Sequence, residues 1–258
     1  MRESDFDASE VAAKQKTEID FWRNDPRESP ESNNIYNIYN IVNKVSDAAV
    51  FLECLESIKG ELSNPAKIFE LGSGQGWASC LVKRLFPQAH VTSTDLSEYA
   101  IKSLNKWEYI WQVKIDASYH CTSYETRESD SSLDLVFCFA AAHHFLFHDK
   151  TLHEIYRILK PGGKALYFYE PTSPKLFYSF AYQRVNRKRP HVPEDVLVIS
   201  HMREIAHANN LKLRVDLFPS TLRREPLENV YYTLLSKFPL LCRLLPCTAN
   251  FIFSKAAV

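Results

Sequence analysis

Glycine is scarce in this chain, with six residues in the whole sequence, and three of them (Gly72, Gly74 and Gly76) alternate within one short stretch. Excess charge is missing too: 31 Lys and Arg balance 31 Asp and Glu, which argues against a broad face built to grip nucleic-acid phosphates. No apolar run reaches the roughly 18 residues needed to span a bilayer, and the charged opening MRESDFDASE does not read as a secretory signal. The six cysteines (54, 80, 121, 138, 242 and 247) form no C-x-x-C pair, so neither a zinc ribbon nor a redox dithiol is indicated. Free, mostly buried thiols in a reduced, cytoplasmic protein are the simplest expectation. Internal repeats are absent beyond the short NIYNIYN at 34–40. At 45% hydrophobic residues, one sizeable core is possible and a second full domain is not required.

The most informative segment is Lys67-Ile-Phe-Glu-Leu-Gly-Ser-Gly-Gln-Gly-Trp77. An apolar run ending in Glu70 and opening into three glycines predicts a buried parallel strand turning sharply into a helix over Trp77–Phe86. That helix would aim its N-terminal N–H groups at whatever occupies the turn. A dinucleotide fingerprint, G-x-G-x-x-G, would require glycine at 77, where Trp77 stands. The pattern present is E-x-G-x-G-x-G.

Further elements follow in order. His90–Asp95 reads as a second strand ending in an acid about 20 residues past the glycines, where ribose hydroxyls are held in such units. Ser97 is a candidate cap for the next helix. Trp111–Ala117, containing Asp116, reads as a third strand, and Leu133–Phe139 as a central strand buried on both faces. Ala140-Ala-Ala-His143-His144-Phe145 comes next. Then a helical pattern over Leu152–Lys160 is stopped by Pro161-Gly162-Gly163, and a strand runs over Lys164–Glu170.

As a set, and over roughly residues 60–170, these motifs resemble the class I S-adenosylmethionine (SAM)-dependent methyltransferases of the small-molecule, type 11-like kind. The resemblance implies an α/β fold, a Rossmann-like seven-stranded, mostly parallel sheet with helices on both faces and an antiparallel last strand. It implies SAM as cofactor, with Glu70, Gly72, Gly74 and Gly76 about its methionine part. Asp95 and Leu96 would lie at the ribose, Asp116 and Ala117 at the adenine, and Phe139 along the cofactor. The N/D-P-P-Y/F sequence of base-methylating relatives is replaced by Phe139-Ala-Ala-Ala, and no nucleic-acid partner is expected.

Residues 1–60 are expected to form an N-terminal helical cap, with a helix from about Ile35 to Ile58 and Trp22, Tyr36 or Tyr39 as candidate contacts. The core would span 61–258, with lid insertions at about 171–198 and 219–247. The insertions carry aromatic and leucine-rich stretches flanked by Arg184, Arg187, Lys188, Arg189, Lys237 and Arg243. Such a lid suits a small or lipid-linked acceptor and peripheral membrane contact; ordinary lid packing explains the same residues. His144, and next His143, are candidate bases beside the methyl group, since imidazole titrates near neutrality. His144, His148 and His153 crowd together, but Asp149 reads as a helix cap between them, so no metal is expected. The function expected is methyl transfer to oxygen. The alternatives are a C-methyltransferase of a quinone or lipid-type acceptor, and a non-catalytic SAM-binding partner protein.

Overall fold

The strands over Lys67–Glu70 and Leu133–Phe139 are apolar on both sides because helices cover both faces of their sheet. The computed structural model describes residues 7–30, 35–62, 64–187 and 194–257, without the side chains of residues 35 and 36. The elements run α1 (Ala8–Asn24), α2 (Ile35–Ile58), β1 (Lys67–Glu70), α3 (Trp77–Leu85), β2 (His90–Asp95), α4 (Glu98–Lys102), α5 (Leu104–Trp111) and β3 (Ala117–His120). Then come β4 (Leu133–Phe139), α6 (His148–Ile158), β5 (Leu159–Ser173), α7 (Tyr178–Asn186), β6 (Leu197–Val198), α8 (Ile199–Ala208), β7 (Leu211–Leu217), α9 (Pro226–Lys237), α10 (Pro239–Cys242) and β8 (Cys247–Lys255).

The sheet order is β3-β2-β1-β4-β5-β8-β7, with the two-residue β6 beside the end of β5. Strands β1 to β5 pair in parallel, and β8 runs antiparallel between β5 and β7. This is the expected Rossmann-like sheet with an antiparallel last strand. Phe51 of α2, Trp77 of α3 and Trp107 of α5 pack with Ile68, Phe137 and Phe168 on one face. Leu152 and Ile155 of α6 and Met202 of α8 pack with Phe69, Val136 and Phe251 on the other. Burying each large apolar side chain contributes about 1.5–3 kcal/mol, so the two layers hold the strand ends rigidly in place.

Two expectations are corrected here. The third strand begins at Ala117, not Trp111. Helix α5 continues through Trp111 because Leu104, Trp107 and Glu108 are buried along it, and Gln112 ends it with a left-handed φ of 52°. Glu108 then accepts the backbone N–H of Ile115 at 2.9 Å, fixing the connection. Nor does the second insertion line any part of the cavity at the strand ends. Its helices α9 and α10 bury Tyr232, Leu235 and Cys242 against Cys247 in a small cluster of their own. Of the expected basic cluster, Arg184 pairs with Glu228 at 3.4 Å, while Lys188 and Arg189 lie outside the described residues, as does the side chain of Tyr36. Tyr39 is exposed. Among the described residues no helix is long and apolar enough to cross a membrane. All six cysteines are free, and burial pushes thiols such as Cys54 up, in that case to about 12.

Candidate active site

The sheet order reverses between β1 and β4, so the loops leaving their carboxyl ends diverge and open a crevice, the place where ligands bind in open α/β sheets. The loop after β1 is the glycine turn. Gly74 has φ +53°, and a Cβ there would lie 2.9 Å from the Trp22 indole of α1. Only glycine lets that ring rest on the backbone. Gly76, at φ +78°, begins α3, and a Cβ there would overlap Leu104. It therefore serves helix packing, while Gly72 and Gly74 face the crevice.

Strand alternation places Glu70 as it places Ile68, on the α3 face of the sheet. Its carboxylate accepts the Ser79 hydroxyl of α3, is 2% exposed, and is pushed up to about 8 by burial. Glu70 thus supports the turn from beneath and does not line the crevice, contrary to its expected place beside the ligand. Asp95, at the end of β2, does line it. Its two oxygens accept the N–H groups of Gly74 at 2.8 Å and Ser97 at 2.9 Å, and desolvation pushes it up to about 6. The Ser97 side chain makes no capping bond.

Together these loops bound a cavity of about 530 Å³, within the range of small-molecule sites. Leu96 and residues 121–124, which follow β3, form one end. Asp116 and Ala117 do not reach it. With β3 starting at Ala117, Asp116 sits at the amino end of that strand, bonded to Lys83 Nζ at 2.8 Å and the Val91 N–H at 2.8 Å. Phe139 lines the middle and stacks on Tyr169 with ring centroids 5.7 Å apart. Helix α1 forms the roof through Gln15, Glu18 and Trp22, and Gln15 donates to the Tyr124 hydroxyl at 3.2 Å.

The other end is built from the turn after β4. Ala140 has φ +47°, and a short 3₁₀ turn over Ala142–His144 follows. Glu170, completely buried at the end of β5, holds this turn. It accepts the N–H groups of Ala141 and Ala142 at 2.9 Å, that of His143 at 3.2 Å, and pairs with His143 Nδ1 at 2.7 Å. A bulge in β5, with Tyr169 at φ +58°, separates the register at Tyr167 from that at Glu170. With Nδ1 donating to Glu170, His143 presents the lone pair of Nε2 to the cavity. His144 stands between Glu18, 3.6 Å from its Nδ1, and Glu194, 3.7 Å from its Nε2. Burial pushes Glu18 up to about 7. His148, also on the cavity wall, is pushed down to about 4 by burial and stays neutral, with neither ring nitrogen hydrogen-bonded.

The structure therefore brings together Gly72, Gly74, Asp95, Leu96, Phe139, His143 and His144, and leaves out Glu70, Gly76, Asp116 and Ala117. Sequence reasoning missed Glu18, Glu170 and Glu194. Glu170 carried a visible signal, an acid ending a buried strand directly before Pro171. Glu18 and Glu194 carried none.

Residues 69–167 match the family model described as "Methyltransferase domain". No curated protein matches the chain. Among solved structures, geranyl diphosphate C-methyltransferase from Streptomyces coelicolor A3(2), solved with Mg2+, geranyl diphosphate and S-adenosyl-L-homocysteine, is similar at 13% identity. That match covers 94% of this chain and 98% of the other, with a TM-score of 0.68. Phosphoethanolamine N-methyltransferase 2 from Haemonchus contortus, solved with S-adenosyl-L-methionine, matches at 18% identity over 93% of this chain and 60% of its own, with a TM-score of 0.60. The [4+2]-cyclase SpnF shares the fold at 12% identity, covering 76% and 77% of the two chains, with a TM-score of 0.56. The matched stretch, the E-x-G-x-G-x-G turn and the sheet order agree: residues 69–167 carry a SAM-dependent methyltransferase domain on the class I fold.

Proposed function

We propose that the protein methylates a hydroxyl oxygen of a small polar acceptor, with SAM laid along the strand ends and the acceptor held against His143. The observation that carries this reading is one continuous cavity joining Asp95 and the glycine turn to the Glu170–His143 pair. The methionine part of SAM would rest on Gly72 to Gly74 beneath Trp22. The ribose hydroxyls would donate to Asp95, and the adenine would lie against Leu96 and residues 121–124. His143, oriented by Glu170, then activates the hydroxyl, while His144 and neutral His148 are available to hold the acceptor. This moves first preference from His144 to His143, because Glu170 bonds His143 Nδ1 at 2.7 Å and fixes its ring.

Methyl transfer is an in-line displacement that disperses charge, so alignment in a closed site supplies much of its acceleration. The acceptor end carries Glu18, Glu194 and Asp195 against the single cation Lys14; Lys44 also lines the cavity, and no arginine does among the described residues. That composition disfavours an anionic, lipid-linked acceptor of the diphosphate kind. It would accommodate an amine, which is the second reading; hydroxyl and amine acceptors offered with labelled SAM separate the two. Helix α1 acts in this reading as a cap over the cofactor, while α2 covers the sheet face.

Calorimetric titration with SAM, S-adenosylhomocysteine and NAD tests the cofactor site: micromolar binding of both sulfur ligands and none of NAD is expected. Asp95→Ala should weaken S-adenosylhomocysteine by about 1.5–3 kcal/mol, the worth of hydrogen bonds to a charged group; unchanged affinity would remove Asp95 from the site. Binding should also depend on pH. Ribose hydroxyls donate to the carboxylate, so the ligand prefers ionised Asp95, which in the free protein titrates at about 6. Affinity should fall as pH drops through 6, approaching about tenfold per unit below it, with that step lost in Asp95→Asn. A wild-type affinity flat between pH 5 and 7 would contradict the assignment.

A further inference from the structure

We propose that His143, His144 and Glu194 hold a divalent first-row transition cation at the acceptor end of the cavity. One ligand atom from each residue lies within 4.8 Å of the others. Glu194 Oε1 is 3.8 Å from His143 Nε2 and 3.7 Å from His144 Nε2. These separations are too long for hydrogen bonds. Around an ion with bonds of about 2.1 Å, tetrahedral donors sit about 3.4 Å apart, so small ring rotations complete the set. Two imidazoles and one carboxylate form a donor set that suits zinc, cobalt or manganese better than magnesium.

The surroundings are those of a built site. Glu170 pairs with His143 Nδ1 at 2.7 Å, the carboxylate–histidine arrangement that fixes a ligating ring and leaves Nε2 free to coordinate. Glu194 is fastened by its own backbone: its N–H donates to Asn186 Oδ1 and its carbonyl accepts from Asn186 Nδ2, both at 2.8 Å. The next residue closes the corner, with the Asp195 N–H donating to the His143 carbonyl at 3.0 Å. His143 and Glu194 are both more than nine-tenths buried. Three protein ligands beside an open cavity leave a position for substrate, as catalytic metal sites do. The cluster differs from the crowd of His144, His148 and His153 weighed from the sequence, since His148 starts α6 and His153 is exposed.

The ion's role rests on the oxygen chemistry proposed above, whereas its binding does not. An acceptor hydroxyl coordinated at the open position would lose its proton to solvent at a lowered pKa. The oxygen lone pair then forms the bond to the methyl carbon as the carbon–sulfur bond breaks. That bond's electron pair passes to sulfur, giving the methyl ether, S-adenosylhomocysteine and one released proton. His143 thus activates the acceptor as a ligand.

The test is titration of the chelator-treated full chain with Co2+, followed by visible d–d absorption, with Zn2+ as competitor and no SAM present. One equivalent should bind, displaced by Zn2+. Affinity should fall about 100-fold or more in His144→Ala and in Glu194→Gln, with affinity for S-adenosylhomocysteine kept within about twofold as proof of folding. No binding of either ion at millimolar concentration, or equal binding by both variants, would overturn the site. An imidazolium of His144 merely paired with Glu18 and Glu194 predicts that first result. Failure of S-adenosylhomocysteine to bind wild type would instead strike the cofactor reading and leave the metal measurement standing.

Discussion

Glu170→Ala should destabilise the protein by about 3–5 kcal/mol, the largest single-residue effect expected outside the apolar core. The side chain is completely buried and has four bonding partners on the turn after β4: three backbone N–H groups and one imidazole nitrogen. Removing it leaves those groups without an acceptor in a place water does not reach, and each stranded donor costs about 1–3 kcal/mol before the turn relaxes. Urea unfolding followed by far-UV dichroism measures the change; a difference below about 1 kcal/mol would show that the turn holds without the carboxylate. Glu170→Gln keeps one oxygen acceptor and most of the volume, so it should fold with a smaller loss. Its amide cannot accept from His143 Nδ1 and from all three backbone N–H groups together. Turnover should therefore drop in Glu170→Gln at saturating SAM while SAM affinity holds, a split that a purely structural role would not produce.

How much of this could be read from the sequence follows from where the information lies in the chain. β1 and α3 were legible because one continuous stretch carries the strand, the glycines and the helix, and β4 because two-sided burial writes an unbroken apolar run. β2, rich in Thr and Ser, was legible from its terminal acid and its spacing from the glycines. The antiparallel course of the last strand was legible only through the resemblance. The third strand was not. Ile110 and Trp111 are as suited to a strand as to a helix, and only the packing of α5 against the core decides between them. That six-residue displacement of the strand's start carries Asp116 from the carboxyl edge of the sheet to its amino edge, and with it the expected adenine contact.

The acceptor end was illegible for a different reason. Its histidines are adjacent in sequence, but the carboxylates around them come from α1, β5 and the segment after α7, separated by up to 176 positions between Glu18 and Glu194. Nothing local marks Glu18 on a polar helix or Glu194 in an irregular segment as parts of one site. The second insertion misled in the opposite direction. Its leucines and tyrosines suggest a lid, yet Tyr232 and Leu235 find Cys242 and Cys247 nearer than the cavity. Apolar content fixes that a segment must be covered, while topology decides by what.

His143→Gln should lower kcat by about 10²–10⁴-fold while leaving SAM affinity within about twofold. That range is the usual worth of a positioned acid–base group. His143 joins both halves of the argument: its Nδ1 faces Glu170 at 2.7 Å, and its Nε2 faces the cavity 3.8 Å from Glu194. Glutamine can keep one hydrogen bond to Glu170 but lacks the imidazole lone pair on the cavity side. Cofactor contacts lie at the other end, at Asp95 and the glycine turn, so the loss should appear in kcat and not in the affinity for S-adenosylhomocysteine. His144→Gln, at the rim between Glu18 and Glu194, should lower turnover less if the proton passes directly to His143. If both rings ligate an ion, the two variants should fall together, and added Zn2+ or Mn2+ should not restore either. Full turnover in His143→Gln, measured with labelled SAM on the best hydroxyl acceptor, would leave alignment alone as the source of rate. The Glu170–His143 pair would then be a structural brace for the turn, and the acceptor would have to arrive already activated.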